Sequence, residues 1–170
     1  MAPSIIYVMG TSGCGKTTIS TALASKLGYN YGEGDHMHSN ANKEKMASGR
    51  PLTDEDRRPW LSEIHEYALK HPNSVLTCSA LKRTYREALR KDLDAAFIFL
   101  KVDKNVLLNR LKNRVGHFMP ATLLDSQLDT LEDPTGEPNT FVIENHGDKS
   151  VETVVDNIVW LLNSKMDPNS

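Results

Sequence analysis

Residues 5–28, IIYVMGTSGCGKTTISTALASKLG, indicate the type of fold that this 170-residue chain adopts. This stretch begins with five apolar residues, Ile5–Met9, which have the length and composition of a buried parallel strand. The segment Lys16–Leu27 places apolar residues four positions apart on one face, and Gly28 follows at the position where a helix end favours glycine. We therefore predict a strand, a tight loop and an amphipathic helix, which open a βαβ unit.

The loop between strand and helix matches the pattern GxxxxGK[ST] in full. Its glycines allow successive backbone N–H groups to surround a phosphate, and the helix N-terminus adds partial positive charge. Lys16 is expected to reach the β- and γ-phosphates of a nucleotide, and the Thr17 hydroxyl to bind Mg²⁺. The candidate nucleotide-binding residues are Gly10, Thr11, Ser12, Gly13, Cys14, Gly15, Lys16, Thr17 and Thr18.

Composition and charge exclude several classes of protein. Lys and Arg total 20 and Asp and Glu total 22, so the formal net charge of -2 gives no general attraction to nucleic acid or to an anionic membrane. Cys14 and Cys78 lie far apart and form no CxxC motif or Cys/His cluster, which favours a reducing, cytoplasmic location over a disulfide scaffold or a zinc site. No apolar run approaches the ~20 residues that a membrane helix needs, and the first residues lack the charged start of a signal peptide.

Along the rest of the chain, short apolar runs alternate with longer helical patterns, which is typical of parallel strands joined by crossover helices. The predicted strands are Ile5–Met9, Tyr29–Gly32, Val75–Cys78, Ala96–Val102 and Thr140–Ile143. The predicted helices are Lys16–Leu27, Asp54–Lys70, Thr84–Leu93, Asn105–Val115 and a closing helix from Val151 to Leu162. This order predicts one domain, residues 1–170, of the P-loop three-layer α/β/α class with a five-stranded parallel sheet. The turn-rich segments 36–53 and 116–138 are expected to leave that core.

Four further blocks occur together in a fixed order: GDHMH at 34–38, DRRPWL at 56–61, CSALK at 78–82 and HFMPATLLDSQ at 117–127. With the phosphate loop they resemble the gluconokinase family of P-loop small-molecule kinases, which is related to shikimate and adenylate kinases. The resemblance spans about residues 5–143 and implies transfer of a phosphoryl group from ATP, with Mg²⁺, to D-gluconate. It also implies an acceptor-binding region at about 36–70, a lid at about 112–130 and a homodimer.

Asp35 follows the second predicted strand, at the edge where open α/β sheets bind ligands. Its carboxylate is expected to accept a hydrogen bond from the acceptor hydroxyl and to take the proton late in the transfer. The alternative is an Asp that only caps the following turn. Glu33 points the same way if the strand continues, and is expected to help hold Mg²⁺ through water. The family pattern has Asp-Gly-Asp here, so this Glu departs from it.

A substrate with a carboxylate and several hydroxyls needs an arginine fork and short polar groups. The further candidate substrate residues are His38, Arg57, Lys82, Arg86 and Gln127. Arg57 and Arg86 are expected to bind a carboxylate or phosphate, with Lys82 as a point charge near the same crevice. For each of these three, the alternative is an exposed helix cation. His38 is expected to bond a hydroxyl, and Gln127 to touch substrate or only to cap the lid.

Arg110 and Arg114 lie four positions apart near the end of a predicted helix, and are expected to close over the polyphosphate as lid cations. The alternative is that they only complement the helix dipole. With Lys16 and Asp35 they complete the predicted catalytic set. Two other functions stay open from the residues alone: a kinase for another small polyol acid such as shikimate, and a nucleotide-binding switch, although the chain lacks an NKxD-type guanine-binding motif.

Overall fold

The central element of the fold is a parallel sheet in a computed structural model that describes residues 2–11, 13–112, 123–145 and 147–165. Within those ranges its strands are β1 (Ile5–Met9), β2 (Asn30–Glu33), β3 (Ser74–Thr77), β4 (Ala95–Val102) and β5 (Thr140–Asn145). Their order across the sheet is β2-β3-β1-β4-β5, and every neighbouring pair is parallel. The predicted five-stranded parallel sheet is confirmed.

Helices cover both faces of this sheet. Those described are α1 (Lys16–Leu27), α2 (Asn40–Ala47), α3 (Asp54–Lys70), α4 (Arg83–Arg90), α5 (Lys104–Lys112), α6 (Leu123–Thr130) and α7 (Val151–Lys165), and a short 3₁₀ turn spans Gly34–Met37. In the central strand β1, Ile6 and Val8 pack with α1, α5 and α7, while Ile5, Tyr7 and Met9 pack with α3 and α4. This alternation makes two hydrophobic cores, one on each side of the sheet, and confirms the three-layer α/β/α class.

The parallel register brings the chemically important segments to one edge of the sheet. In the pairing of β1 with β3, Val8 lies opposite Thr77, and in the pairing of β2 with β3, Glu33 lies opposite the same Thr77. The residues that follow these three strands therefore leave the sheet side by side. They are the phosphate loop, the turn beginning at Gly34, and the loop that begins at Cys78.

A capping box fixes the start of α3, the helix that carries the DRRPWL block. The Thr53 hydroxyl accepts a hydrogen bond from the Asp56 N–H at 3.1 Å, and the Asp56 carboxylate accepts one from the Thr53 N–H at 2.9 Å. Asp56 also pairs with Lys45 of α2 at 2.7 Å. The turn-rich segment 36–53 thus contains a helix, α2, which is tied to α3. Within the described residues, no helix combines the length and apolarity needed to cross a membrane.

Gly34, at the start of the 3₁₀ turn, offers a test of how tightly β2 and β3 meet at the edge that carries the site. A Cβ at this position would lie 2.1 Å from the Thr77 carbonyl oxygen, which is backbone and cannot swing aside. We expect Gly34→Ala to lower the free energy of unfolding by roughly 3 kcal/mol because of this overlap. Chemical denaturation measures the loss.

Gly28→Ala is the matched control for that change. Gly28 caps α1 with a φ of 70°, but a Cβ there would meet nothing within 4 Å. Only the left-handed backbone then resists alanine, at about 1 kcal/mol. Equal losses for the two variants would contradict the close approach of Gly34 to β3.

Candidate active site

The phosphate loop joins β1 to α1 and holds the backbone that its glycines require. Gly10, Gly13 and Gly15 have φ values of 148°, 83° and 97°, which side-chain-bearing residues rarely adopt. The Cys14 side chain of this loop is buried. Its sulfur packs so closely against Gly10 that a Cβ at position 10 would lie 2.7 Å from it, so the thiol serves here as a packing group. The predicted nucleotide-binding residue Ser12 lies outside the described residues.

Lys16, the first residue of α1, turns its side chain back across this loop. Its Nζ donates a hydrogen bond to the Gly10 carbonyl at 2.8 Å and pairs with the Asp35 carboxylate at 3.1 Å. Burial acts to lower the pKa of Lys16, but the nearby Asp35 outweighs it and the pKa lies above its usual value. The ammonium group therefore stays charged at the point where a phosphate would enter.

Asp35 receives its contacts from two other elements and not from its own turn. One carboxylate oxygen pairs with Lys16, and the other accepts a hydrogen bond from the Ser79 backbone N–H at 3.0 Å. Burial acts to raise the pKa of Asp35, but Lys16 and the Ser79 N–H together hold it below the usual value. About a quarter of the side chain is exposed (26%), so an ionised carboxylate at this position is open to a ligand.

Oxygen atoms suited to Mg²⁺ meet beside Lys16. The Thr17 hydroxyl donates to a Glu33 carboxylate oxygen at 3.1 Å, the Tyr31 hydroxyl donates to the same oxygen at 2.7 Å, and His36 contacts the other oxygen. Burial and the Glu33 hydrogen bond raise the pKa of Tyr31 to about 12, so the phenol remains a donor. The described residues hold no group of three His, Cys, Asp or Glu side chains placed to bind a metal. A hydroxyl, one carboxylate and phosphate oxygens fit the way Mg²⁺ binds with nucleotides.

His38 and Trp60 form an aromatic wall next to Asp35. Their rings stack with centroids 4.0 Å apart, and the Trp60 indole N–H donates to the Gly34 carbonyl at 2.7 Å. Burial lowers the pKa of His38 to about 4, so its imidazole is neutral at pH 7. Asn42 lies 3.3 Å from His38 Nδ1, and its amide also donates to the Asp56 carbonyl at 2.8 Å. With Nδ1 as the acceptor from Asn42, the network assigns the proton to Nε2.

Two of the predicted substrate cations converge on one tyrosine. The Arg57 guanidinium lies 5.5 Å and the Lys82 ammonium 5.7 Å from the centre of the Tyr85 ring. Arg57 also donates to the Tyr85 hydroxyl at 3.0 Å, while Lys82 donates to Asp54 at 2.9 Å and Tyr85 bonds the same carboxylate. The two cations, Arg57 and Lys82, thus share one carboxylate, that of Asp54. Asp54 and Tyr85 were not among the predicted site residues.

The expectation that Arg86 binds a substrate carboxylate is wrong, because this side chain is fully buried and its donors are already used. Nε and Nη2 donate to the two Glu137 carboxylate oxygens at 2.9 and 2.6 Å. Nη1 donates to the carbonyls of Ala80 and Leu81 at 2.8 and 3.1 Å, and Nη2 also donates to the carbonyl of Glu132 at 2.9 Å. A guanidinium has five N–H donors, so none is left for a ligand.

Arg110 donates a hydrogen bond to the Gly13 carbonyl of the phosphate loop at 3.1 Å, and its closing over a polyphosphate stays a prediction. A pocket of about 510 Å³ opens beside it, and three of its lining residues, Asn109, Asn145 and Lys149, were not among the predicted site residues. They come from α5, from the end of β5 and from the segment before α7, which only the folded sheet brings together. The pocket borders Gly13, Gly15 and Thr18, and has the size and the mixed apolar and polar lining of a small-molecule site.

Two predicted residues add little to this geometry. Gln127 lies in α6 with its side chain buried, and its contact with substrate stays a prediction. Arg114 lies outside the described residues, as does most of the segment predicted to form the lid before α6.

Comparisons with known proteins agree with the architecture and with the loop. A family model described as an AAA domain matches residues 6–122. A gluconokinase of Gluconobacter oxydans (strain 621H) is 47% identical over 165 residues, which cover 94% of this chain and 91% of that protein. The crystal structure of a gluconokinase from Sinorhizobium meliloti 1021 superposes with a TM-score of 0.83 at 42% identity, covering 95% of this chain and 92% of that one.

A more distant structure shares the fold alone. Shikimate kinase from Acinetobacter baumannii, in complex with shikimate, superposes with a TM-score of 0.65 at 19% identity and covers 97% of this chain and 96% of that one.

The buried, neutral His38 predicts a specific dependence of stability on pH. Between its usual pKa of 6.5 and its folded value of about 4, the unfolded chain binds a proton at this imidazole and the folded chain does not. The free energy of unfolding therefore falls as the pH decreases through this window, by up to about 3 kcal/mol at the lower end. Urea denaturation at several pH values should show a shallower slope for His38→Asn, and an unchanged slope would contradict the buried neutral ring.

Proposed function

The chain belongs to the gluconokinase family and carries an AAA domain, and on that premise we propose that it transfers the γ-phosphoryl group of ATP to a hydroxyl of D-gluconate, giving 6-phospho-D-gluconate. One observation carries the proposal: Lys16 of the phosphate loop lies 3.1 Å from Asp35. The group that would bind the donor phosphate is thus next to the group that would hold the acceptor hydroxyl. The gluconokinases among its relatives point to the identity of the acceptor.

Nucleotide binding would exchange the partners of Lys16. Its ammonium now bonds the Gly10 carbonyl and the Asp35 carboxylate, and the β- and γ-phosphates would replace them in the loop. Thr17, with Glu33 beside it at 3.1 Å, would hold Mg²⁺, which when bound neutralises charge on the phosphate oxygens. The nucleoside would lie in the pocket beside Arg110, with Asn145 and Lys149 along its wall.

Asp35 would then be free to receive the acceptor hydroxyl. With Lys16 paired to it, as in this structure, Asp35 has a pKa below the usual value; once Lys16 turns to the phosphates, the Ser79 N–H would continue to favour the ionised carboxylate, which accepts a hydrogen bond. The Ser79 N–H keeps one oxygen fixed while the other, released by Lys16, turns to the hydroxyl. Because the transition state of phosphoryl transfer is loose, aligning the hydroxyl contributes more than the basicity of Asp35, which takes the proton late.

The sugar acid would lie between the aromatic wall and the two cations on Tyr85. Arg57 and Lys82 carry one positive charge more than the Asp54 carboxylate neutralises, which suits a substrate carboxylate. The His38 Nε2 proton would bond one of the hydroxyls. Arg57 is close enough to His38 to help lower the pKa of that imidazole, which supports a shared site.

The remaining parts of the proposal concern organisation. We propose that residues 1–170 form a single domain in which about 36–70 bind the acceptor and about 112–130 form a lid, with Arg110 and Arg114 as its cations and Gln127 near its base. A cytoplasmic location is supported by two buried free thiols, Cys14 and Cys78. A homodimer is expected from the family, and light scattering tests it. The net charge of -2 supports a small-molecule partner over nucleic acid.

Asp35→Asn should test the acceptor role of this carboxylate. The amide keeps the size of the side chain but loses its charge, so we expect kcat with gluconate to fall by roughly 10²–10⁴-fold while KM for ATP changes little. A coupled assay of ADP release measures both constants. Asp156→Asn is the control. Asp156 also pairs with a lysine, Lys26, but this pair is half-exposed and Asp156 lies on α7, outside the site. An unchanged kcat in Asp35→Asn would reduce Asp35 to a structural residue.

Arg57→Ala should test the site for the substrate carboxylate. Loss of a charged hydrogen-bond donor is expected to raise KM for gluconate by roughly 10–100-fold, with KM for ATP unaffected. Arg58→Ala is the matched control, since Arg58 is the next residue of α3 and is exposed. If KM for gluconate stays at the wild-type value, the carboxylate binds elsewhere. ADP release driven by shikimate and not by gluconate would reject gluconate as the acceptor.

A further inference from the structure

Arg86 joins three segments of the chain that meet behind the candidate active site. Its guanidinium binds the loop that follows β3 through the carbonyls of Ala80 and Leu81. It binds the chain just beyond α6 through the carbonyl of Glu132, and the segment before β5 through the Glu137 carboxylate. Arg86 belongs to α4, so one buried side chain ties this helix to two connecting segments, the loop after β3 and the chain between α6 and β5.

The loop after β3 is the segment that holds Asp35 from the side away from Lys16. Ser79 supplies the backbone N–H that bonds the Asp35 carboxylate at 3.0 Å. The next residue, Ala80, has a φ of 45°, a conformation that alanine adopts only when its surroundings impose it, and it is completely buried. Arg86 Nη1 donates hydrogen bonds to the carbonyls of Ala80 and Leu81. It is therefore placed to hold the strained loop in the shape that presents the Ser79 N–H.

The same loop is bonded to the end of α6. The Glu132 N–H donates to the Leu81 carbonyl at 2.7 Å, and the Glu132 carboxylate accepts the Arg83 N–H at 2.8 Å. The Leu81 carbonyl thus accepts from both Glu132 and Arg86, and Arg86 binds the Glu132 carbonyl in turn. A shift of the chain beyond α6 would therefore displace the loop after β3, which bonds Asp35.

We propose that Arg86, held by Glu137, is a positioning residue that fixes residues 79–82 against the end of α6 and so sets the geometry of Asp35 for the acceptor hydroxyl. The proposal rests on the acceptor role given to Asp35 above. Arg86 touches no substrate, because its five N–H donors are all engaged within the protein. It acts through the Ser79 N–H.

A substitution of Arg90 distinguishes this positioning role from the stabilising effect of the ion pair with Glu137. Arg90 lies one turn further along α4 and also pairs with Glu137, at 3.4 Å, but its other hydrogen bond goes to the Pro138 carbonyl at 2.9 Å. Among the described residues, no hydrogen bond or ion pair joins Arg90 to the loop after β3, and its guanidinium lies over the Phe97 ring. Arg90→Lys therefore perturbs the same carboxylate without releasing the Ala80 and Leu81 carbonyls.

The experiment compares Arg86→Lys with Arg90→Lys in the full-length protein. A lysine at position 86 keeps the positive charge but loses the planar five-donor fork, so we expect kcat with gluconate to fall about tenfold or more while KM for ATP stays within about twofold. Arg90→Lys should keep kcat within about twofold, and the melting temperature of both variants is measured alongside kcat. A fall in kcat that follows the loss of thermal stability equally in both variants would overturn the proposal.

Hydrogen exchange gives a readout that does not depend on which acid is the substrate. In Arg86→Lys the Ser79 and Glu132 amides should exchange about tenfold faster, while amides of β1 keep wild-type rates and Arg90→Lys shows no change at either site. Wild-type protection of the Ser79 amide in Arg86→Lys would overturn the proposal. If wild-type protein releases no ADP with gluconate, the proposed function fails, and the exchange data still decide whether Arg86 holds the loop.

Glu137→Gln covers the case in which Arg86→Lys does not fold. The amide keeps the shape of the carboxylate but removes the charge that orients the guanidinium, so the Ser79 amide should exchange about threefold faster. Wild-type exchange at Ser79 in folded Glu137→Gln would count against Arg86 as the positioning residue.

Discussion

The ion pair between Lys16 and Asp35 is the contact on which the site depends, and the parallel register of three strands makes it possible. Lys16 follows β1 through the phosphate loop, and Asp35 follows β2, which is separated from β1 by β3. The intervening strand β3 continues into the loop whose Ser79 N–H bonds the Asp35 carboxylate. Had any of these strands run antiparallel, its functional residue would lie at the opposite edge of the sheet. Donor and acceptor sites are therefore adjacent because the sheet is parallel.

Under the proposed function, a chain with a net charge of -2 would bind two anionic substrates because the cations assigned to them have partners that a ligand could replace. Lys16 pairs with Asp35 and the Gly10 carbonyl, Lys82 pairs with Asp54, and Arg110 bonds the Gly13 carbonyl. Each arriving phosphate or carboxylate would then replace one acceptor by another, and no isolated charge would have to lose its water. For Lys16 and Lys82 the exchange would also free a carboxylate, that of Asp35 or of Asp54, when the ligand binds. At Asp35, the freed oxygen would be the one that accepts the hydrogen bond of the acceptor hydroxyl.

Much of this arrangement was predictable from local sequence, and the exceptions have physical causes. Strand β1, helix α1 and helix α3 have their predicted bounds, because each joins apolar spacing to a clear start or stop signal. Helix α2 was not predicted because it carries almost no apolar stripe. The Ser39 side chain caps its first turn, and the pair between Lys45 and Asp56 joins it to α3. The pocket residues Asn145 and Lys149 carry no motif, and only the fold brings them to the phosphate loop.

Arg86 shows most clearly why sequence alone assigns some charges wrongly. On a helix it resembles any exposed cation, and its decisive partner Glu137 stands 51 residues further along the chain, in a segment with no regular structure. What places Arg86 inside is the loop after β3: in leaving the sheet it turns the carbonyls of Ala80 and Leu81 away from strand partners and into the interior. Buried carbonyls need donors. Those two carbonyls, the Glu132 carbonyl and a carboxylate together need five N–H groups arranged in a plane, and arginine is the side chain that supplies them.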